Sequence, residues 1–169
     1  MTEPDNLPNT GHFGSGALEF RAWETPFTNE AVAILEVAYS QRSSWPRKVA
    51  SYAQAAALIH PPDDIDLIAR VYVYSTRTIY RVGYRRVGAM RLLDEHGLTA
   101  VWERSHELGG RPGSTTFCVR NHPWTDESVI SFVFGTEDGW SYMIASDWEC
   151  LEMLAKSALE IHEEQRLPE

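Results

Sequence analysis

The feature that most constrains this fold is a change of period in the middle of the chain. After Asp64, apolar residues alternate with polar or aromatic ones over residues 66–74. Successive side chains of a strand point to opposite faces, so this period of two predicts a β-strand. One face carries Leu67, Ala69, Val71 and Val73, and the other carries Arg70, Tyr72 and Tyr74. Either face is able to point inward, and burial energy favours the aliphatic one.

Several other segments are rich in β-branched and aromatic residues between turn residues, which is typical of short strands. Thr78–Leu93 is long enough for two strands, with Gly83 and Gly88 as bends or bulges. The clearest hairpin joins Val129–Phe134 to Trp140–Ala145 through the turn at residues 136–139. The remaining predicted strands are Ala17–Trp23, Leu98–Glu103 and Thr115–Arg120.

Three segments instead show helical spacing. A helix is predicted from Thr28 or Asn29 to about Arg42, and a second one from Pro46 to His60. Ser146 and Glu149 have the form of a capping box, which predicts the start of a final helix. The apolar stripe of that helix is Trp148, Leu151, Leu154, Ala155, Ala158 and Ile161.

These elements predict an α+β domain. An antiparallel curved sheet of about six to seven strands packs on a long C-terminal helix, and two helices follow the first strand. The chain has 169 residues, of which 43% are hydrophobic, and this favours one core rather than two. We expect a flexible tail over residues 1–16, one domain over residues 17–164 and a short tail over residues 165–169.

The charge and the cysteines limit the function classes. A net charge of −9 repels a phosphate backbone, so nucleic-acid binding is disfavoured. Cys118 and Cys150 are too few for a secreted disulfide scaffold, and a reducing cytoplasm fits best. The N-terminal residues lack the basic and apolar regions of a signal peptide, and no segment is apolar over the ~18 residues of a membrane span. We therefore expect no membrane association.

Two local features and the order of elements resemble one known superfamily. Trp45-Pro46 stands at the junction of the first two predicted helices, and Leu151-x-x-Leu154 opens a leucine-rich final segment that runs to Glu160. With a strand, two helices, an antiparallel meander and a last helix over residues 17–164, the chain resembles the START/Bet v1-like helix-grip superfamily and its polyketide cyclase members. The resemblance implies a cavity for an apolar or aromatic small molecule between sheet and helix. It carries over no catalytic residue.

The strongest local anomaly is basic. Between Ile65 and Leu93 there is one acid, Asp66, against six arginines: Arg70, Arg77, Arg81, Arg85, Arg86 and Arg91. Guanidinium groups bind carboxylates and phosphates through paired hydrogen bonds, so one interpretation is an anion-binding strip. The other is a solvated strand face whose arginines pair with acids elsewhere.

A helix-turn-helix is a further interpretation of the same region. Ser75 would cap a recognition helix, and Arg77, Tyr80 and Arg81 would face DNA. Val73 stands where that motif prefers glycine, and its neighbours favour extended structure, so we disfavour this hypothesis.

No sequence motif indicates a metal, a cofactor or a nucleophilic enzyme. Cys118 and His122 are four residues apart, which in a strand is about 13 Å and too far for one ion. The acid pairs, among them Asp126-Glu127 and Glu137-Asp138, fall in predicted turns, where solvated side chains are the rule.

Two functional hypotheses remain. The first is a cavity that binds an apolar or aromatic small molecule, with cofactor-free cyclase-like chemistry as an option. Its candidate lining residues are Arg70, Tyr72, Tyr74, Arg81, Tyr84, Trp102 and Trp140. The second is an acidic inhibitor or immunity-type protein without enzymatic activity, which binds a basic protein partner through complementary charge.

Overall fold

The computed structural model describes residues 16–39, 67–85, 87–94, 98–156 and 159–168. These residues form nine strands in two antiparallel sheets and three short helices. The strands are β1 (Glu19–Ala22), β2 (Val32–Tyr39), β3 (Leu67–Val73), β4 (Thr78–Tyr84), β5 (Val87–Asp94), β6 (Thr116–Arg120), β7 (Ser141–Ala145), β8 (Glu149–Ala155) and β9 (Glu160–Arg166). The helices are α1 (Thr99–Ser105), followed by a 3₁₀ turn at His106–Leu108, α2 (Pro123–Glu127) and α3 (Val129–Gly135).

Along its nine described strands, the chain passes between the two sheets three times. Sheet I has the strand order β1-β6-β7-β8-β5, and sheet II has the order β2-β3-β4-β9. Consecutive strands change sheet at β1 to β2, at β4 to β5 and at β8 to β9. The sheets are therefore interleaved along the sequence, and both belong to one structural unit.

The main core lies between the sheets. Sheet II contributes the aliphatic face of β3, and sheet I contributes Leu151 and Met153 of β8. All of these side chains are buried. The inward orientation that burial energy favoured for β3 is confirmed, because Leu67, Ala69, Val71 and Val73 alternate with three less buried residues.

The other face of sheet I is covered by the helices. Leu98 and Val101, at the start of α1, pack with Phe117 and Met143 of the sheet. At the other end of the same face, Trp124 of α2 and Phe132 of α3 pack on Leu154. The molecule thus has three layers, which are helices, sheet I and sheet II.

The predicted long C-terminal helix is wrong, and with it the predicted fold class. Residues 149–155 and 160–166 form β8 and β9. β8 is an interior strand of sheet I and is buried on both faces, so its apolar residues do not alternate. A strand of this kind has no period of two and is easily read as a buried helix. Ser146 does accept the Glu149 backbone N–H at 2.9 Å, but it closes the β7–β8 hairpin turn.

The first predicted helix is also wrong, because residues 32–39 form β2. Its apolar residues looked helical because of an irregularity in the strand. The register with β3 shifts between Ile34 and Glu36, so Leu35 is an extra residue that leaves the alternation. Apolar side chains before and after such a bulge fall at spacings of three and four. The second predicted helix lies outside the described residues.

Two predicted strands are helices instead. Residues 99–105 form α1, where Leu98, Val101 and Trp102 have the spacing of a helix face. Residues 129–135 form α3, so the predicted hairpin keeps its turn and its second strand but not its first. Each helix buries one side against sheet I, and β propensity did not decide either case.

The other predicted strands are present. The structure has strands within Ala17–Trp23 and Thr115–Arg120, and two strands over residues 78–94. Most of the predicted N-terminal tail, over residues 1–15, lies outside the described residues. Of the described part of the chain, no helix has the length and apolarity needed to cross a membrane.

Candidate functional site

Three of the predicted site residues share the outer face of sheet II. Arg70 lies opposite Arg81 on the neighbouring strand, and Tyr72 is two residues along from Arg70. The Arg70 guanidinium forms ion pairs with Glu36 on one side and with Glu164 on the other. This pairing matches the interpretation of a solvated arginine face and leaves the Arg70 donors already engaged.

A fourth predicted site residue, Tyr74, adjoins this group, and the other three are elsewhere. Tyr74 stacks edge-on against Tyr72 with ring centroids 5.1 Å apart and is 54% exposed. Tyr84 lies on the inner face of sheet II and is fully buried. Trp102 is on α1, where the Arg111 guanidinium lies 5.1 Å from its ring centre.

Trp140 lies at the turn before β7, and two arginine guanidinium groups pack against its ring. The guanidinium carbons of Arg21 and Arg120 are 4.7 Å and 4.6 Å from its ring centre. Cation–π contacts of this kind hold a ring in place. The seven predicted residues therefore fall in four separate places, and no single pocket contains them.

A buried polar cluster that the sequence did not reveal lies on the helix side of sheet I. It consists of Arg91, His122, Ser141 and Glu152. Arg91 on β5 and Glu152 on β8 are directly opposite each other, and their side chains form an ion pair at 2.6 Å. His122 Nε2 lies 2.8 Å from Glu152 Oε1, and the Ser141 hydroxyl donates to the same oxygen. The Arg91 guanidinium also stacks 4.5 Å above the Trp124 ring.

The electrostatics of this cluster favour an ionised carboxylate. Burial opposes the charge on Glu152, but the contact with His122, the charge of Arg91 and the Ser141 hydrogen bond outweigh it. The pKa of Glu152 is therefore below its ordinary value. Ser141 donates to Glu152 and not to His122, and all three side chains lack exposed surface. Nucleophilic catalysis needs a hydroxyl bonded to its base, so these three side chains do not form an activated serine.

The cluster lies beneath a platform formed by α2 and α3. His122 precedes α2, whose first residue is Pro123, a favoured residue at that position. The His122 ring also packs edge-on against Phe132 at 5.6 Å. Polar and aromatic contacts together fix the platform on sheet I.

A glycine pair sets the distance between α3 and the sheet. A Cβ atom on Gly88 of β5 would lie 2.7 Å from the Cα of Gly135, and one on Gly135 would lie 2.9 Å from the Cα of Gly88. Real Cβ atoms do not approach a backbone carbon so closely, so only glycine at both positions permits this contact.

The solvent-facing side of α3 is apolar, like the side that packs on sheet I. Ile130 is 75% exposed, Phe134 is 70% exposed and Val129 is 40% exposed. We call these three side chains the α3 ridge. Residues four apart share one helix face, so Ile130 and Phe134 form one continuous surface. A surface helix normally presents polar residues to water, and an exposed apolar face of this kind is typical of interaction sites.

Open clefts of about 410 Å³ flank the ridge at each end. The N-terminal cleft is lined by residues 126–131, and its acids are Asp126 and Glu127. The C-terminal cleft includes Glu137 and Asp138 together with Lys156. All four acids are exposed.

The charge beside the ridge is mostly negative. Four exposed acids, Asp126, Glu127, Glu137 and Asp138, line the two clefts, and Lys156 is the one cation among the lining residues. The α3 ridge is therefore an apolar surface in an acidic environment, which attracts cationic partners and repels anionic ones.

Comparison of the chain with protein-family models, with curated proteins and with solved structures finds no match in any of the three. These comparisons therefore do not bear on the START/Bet v1 resemblance. Of the described side chains, no group of three or more histidines, cysteines, aspartates or glutamates is arranged to hold a metal ion.

One feature of the sequence does indicate the α3 ridge. Residues 129–134 contain five apolar residues in six, and acid pairs bracket this run. In a strand, such a run would be buried on both faces. As a helix on the outside of the sheet it buries only one side, so the exposed apolar face became visible only in three dimensions.

Proposed function

We propose that this protein is a non-enzymatic binding protein for a basic protein partner, in the manner of an acidic inhibitor or immunity-type protein. The observation that carries the proposal is the α3 ridge, an exposed apolar helix face with acidic clefts at both of its ends. Apolar anchors supply affinity in protein interfaces, and complementary charge accelerates the encounter. The ridge offers both to one partner.

The cytoplasm is the compartment that we propose. The chain has two cysteines, Cys118 and Cys150, and both are buried. Two cysteines are too few for the disulfide scaffold of a small secreted protein, and so few cysteines fit a reducing compartment.

The alternative hypothesis, a small-molecule cavity, depends on a long last helix, and the described residues of that segment form strands instead. It required space between the sheet and a last helix, and β8 and β9 occupy that part of the chain. Its candidate residues also lie in four separate places. The geometry therefore favours the protein-binding hypothesis.

Site-specific photo-crosslinking tests the proposal. A photoreactive phenylalanine analogue at Phe134 is compared with the same analogue at Tyr74, an exposed aromatic residue in the β3–β4 turn of sheet II. In extracts of the cells that make the protein, we expect position 134 to give one dominant adduct with a basic protein. Its yield should fall as salt rises, because screening weakens charge attraction.

Position 74 is the matched control, and it should not give this adduct. Equal adducts from both positions, or an acidic protein as the dominant partner at position 134, would contradict the proposed function.

A further inference from the structure

The α3 ridge can be engaged only through side chains. α3 is a helix, so its solvent-facing surface is made of side chains and offers no open strand edge, and it packs against β5, which is an edge strand of sheet I. A partner cannot add a strand to a helix face, so recognition by β-augmentation is not available here. Two helices, in contrast, pack readily through rows of side chains.

The spacing of the ridge suits a partner helix. Ile130 and Phe134 are four residues apart, which corresponds to a rise of about 6 Å along the axis of α3. The apolar residues of an amphipathic helix also recur at intervals of about one turn, so such a helix matches this spacing when it lies along α3. Apolar side chains three and four residues apart on the partner would therefore meet both ridge residues.

The spacing of the acids extends this match. α3 has seven residues and a length of about 10 Å, and an acidic cleft lies at each end. On a partner helix, residues seven apart are also about 10 Å apart and project from nearly the same face. Lysine or arginine residues at that interval would reach both clefts while the apolar residues between them cover the ridge.

From these observations we infer that the partner binds through an amphipathic helix, with basic residues about two turns apart on either side of apolar residues, laid along the α3 ridge. The inference rests on the proposed function and specifies the partner segment. It assigns Ile130 and Phe134 as the apolar contacts and the two acidic clefts as the contacts for cationic side chains.

A second copy of this chain is a less suitable occupant. The chain carries a net charge of −9, and two copies facing each other across their ridges would bring four acids of one copy against four of the other. Like charges at an interface oppose association. The protein should therefore be a monomer at the concentrations used for binding, and a dimer that the ridge variants dissociate would overturn the inference.

Two synthetic peptides test the inference with the full chain. Both have 18 residues, with leucine at heptad positions a and d, and they differ only in having lysine or glutamate at positions e and g. We expect the lysine peptide to bind and the glutamate peptide not to bind. The Kd of the lysine peptide, measured by calorimetry, should rise about tenfold between 50 and 300 mM NaCl. Equal binding of the glutamate peptide would overturn the inference.

Ridge variants locate the peptide. The double substitution Ile130→Ser and Phe134→Ser should weaken binding of the lysine peptide by about tenfold or more. The matched control is Leu35→Ser with Tyr74→Ser, which removes two apolar side chains that are each 54% exposed on sheet II or its turn. The control should leave the Kd within about twofold. If both double variants bind equally well, the peptide is not on the ridge.

Lys156 provides a variant that should gain affinity. It is the one cation in the lining of the C-terminal cleft, beside Glu137 and Asp138. Lys156→Gln removes a like charge that faces the peptide, so the lysine peptide should bind about twofold to fivefold more tightly. A loss of fold cannot produce tighter binding, so unchanged or weaker binding by this variant counts against the cleft assignment.

The two proposals fail differently. If crosslinking at position 134 captures a basic protein while the lysine peptide does not bind, the helical partner segment is wrong and the proposed function stands. If crosslinking captures no basic protein, the proposed function fails whatever the peptides do.

Discussion

At the scale of single residues, Glu152 is the one Asp, Glu, Lys or Arg side chain that is fully buried in the described part of the chain. It has no exposed surface, and its partners come from β5, from β7 and from the residue that precedes α2. A buried charge is tolerated only when its partners are in place. The polar cluster therefore stabilises the contact between the α2–α3 platform and sheet I as long as it stays complete.

Removing Arg91 should be costly for that reason. Arg91→Ala leaves the buried Glu152 charge without its guanidinium partner, and we expect a loss of about 3–5 kcal/mol in the free energy of unfolding. Urea denaturation followed by tryptophan fluorescence measures it. The control is Arg104→Ala on the exposed side of α1, which should change stability by less than about 0.5 kcal/mol. Similar losses for both variants would mean that the cluster contributes little.

The cluster also predicts how stability depends on pH. The pKa of Glu152 is lowered in the folded protein, so its contribution is present above the unfolded value of about 4.3 and is lost as the pH falls below it. In that range the unfolded chain binds the proton before the folded one does. Between pH 5 and pH 3, the free energy of unfolding should fall more steeply for wild type than for Glu152→Gln. Parallel curves would show that Glu152 is not the group responsible.

Tyr84 offers a contrasting buried group. Its hydroxyl has no hydrogen-bond partner among the described residues, and burial raises the pKa of its phenol well above the ordinary value. An unpaired buried hydroxyl contributes no hydrogen bond to folding. Tyr84→Phe should leave the free energy of unfolding unchanged or raise it by about 1 kcal/mol, as measured by urea denaturation. A loss above about 2 kcal/mol would indicate that the hydroxyl is bonded.

At the scale of elements, the position of α3 depends on the glycine contact beneath it. α3 is short and has no side-chain hydrogen bond at its N-terminus, so packing on β5 and β8 holds it. The exposed ridge is therefore displayed at a fixed distance from the sheet.

Gly88→Ala tests this contact. The added methyl group meets the Gly135 backbone at 2.7 Å and should move α3 away from β5, at a cost of about 1–3 kcal/mol in the free energy of unfolding. Gly113→Ala is the matched control, because a Cβ there meets no atom within 4 Å, and it should be nearly neutral. Thermal unfolding separates the two. If Gly88→Ala is as stable as the control, the close approach is not a constraint on α3.

At the scale of the whole molecule, the interleaving of the two sheets makes them dependent on each other. Leu151 of sheet I packs into the same core as Leu67 and Val82 of sheet II, and all three are fully buried. Neither sheet covers its inner face without the other. The described residues should therefore unfold as one cooperative unit.

Leu151→Ala tests this dependence. It should lower the free energy of unfolding by about 2–5 kcal/mol, because it leaves a cavity between the sheets. Far-ultraviolet circular dichroism, which follows all strands, and near-ultraviolet circular dichroism, which follows aromatic packing, should shift together in urea. Two separate transitions in the variant would mean that the sheets are independent.

The sequence by itself determined the strands whose two faces differ and part of the chemistry of the surface. β3 has one face in the core and one toward solvent, so its period of two was visible, and the acid pairs beside α3 were correctly expected to be exposed. The negative net charge, which underlies the expected basic partner, is likewise a property of composition alone.

Only the tertiary structure decided the elements whose environment departs from that pattern. β8 is buried on both faces, a bulge interrupts β2, and α3 adopts a helix in a segment of high β propensity. The polar cluster unites residues from β5, β7, β8 and the start of α2, and no local spacing encodes such a contact. Burial and partner choice are set by what the chain packs against, and so the α3 ridge exists only as a consequence of how the sheet beneath it is assembled.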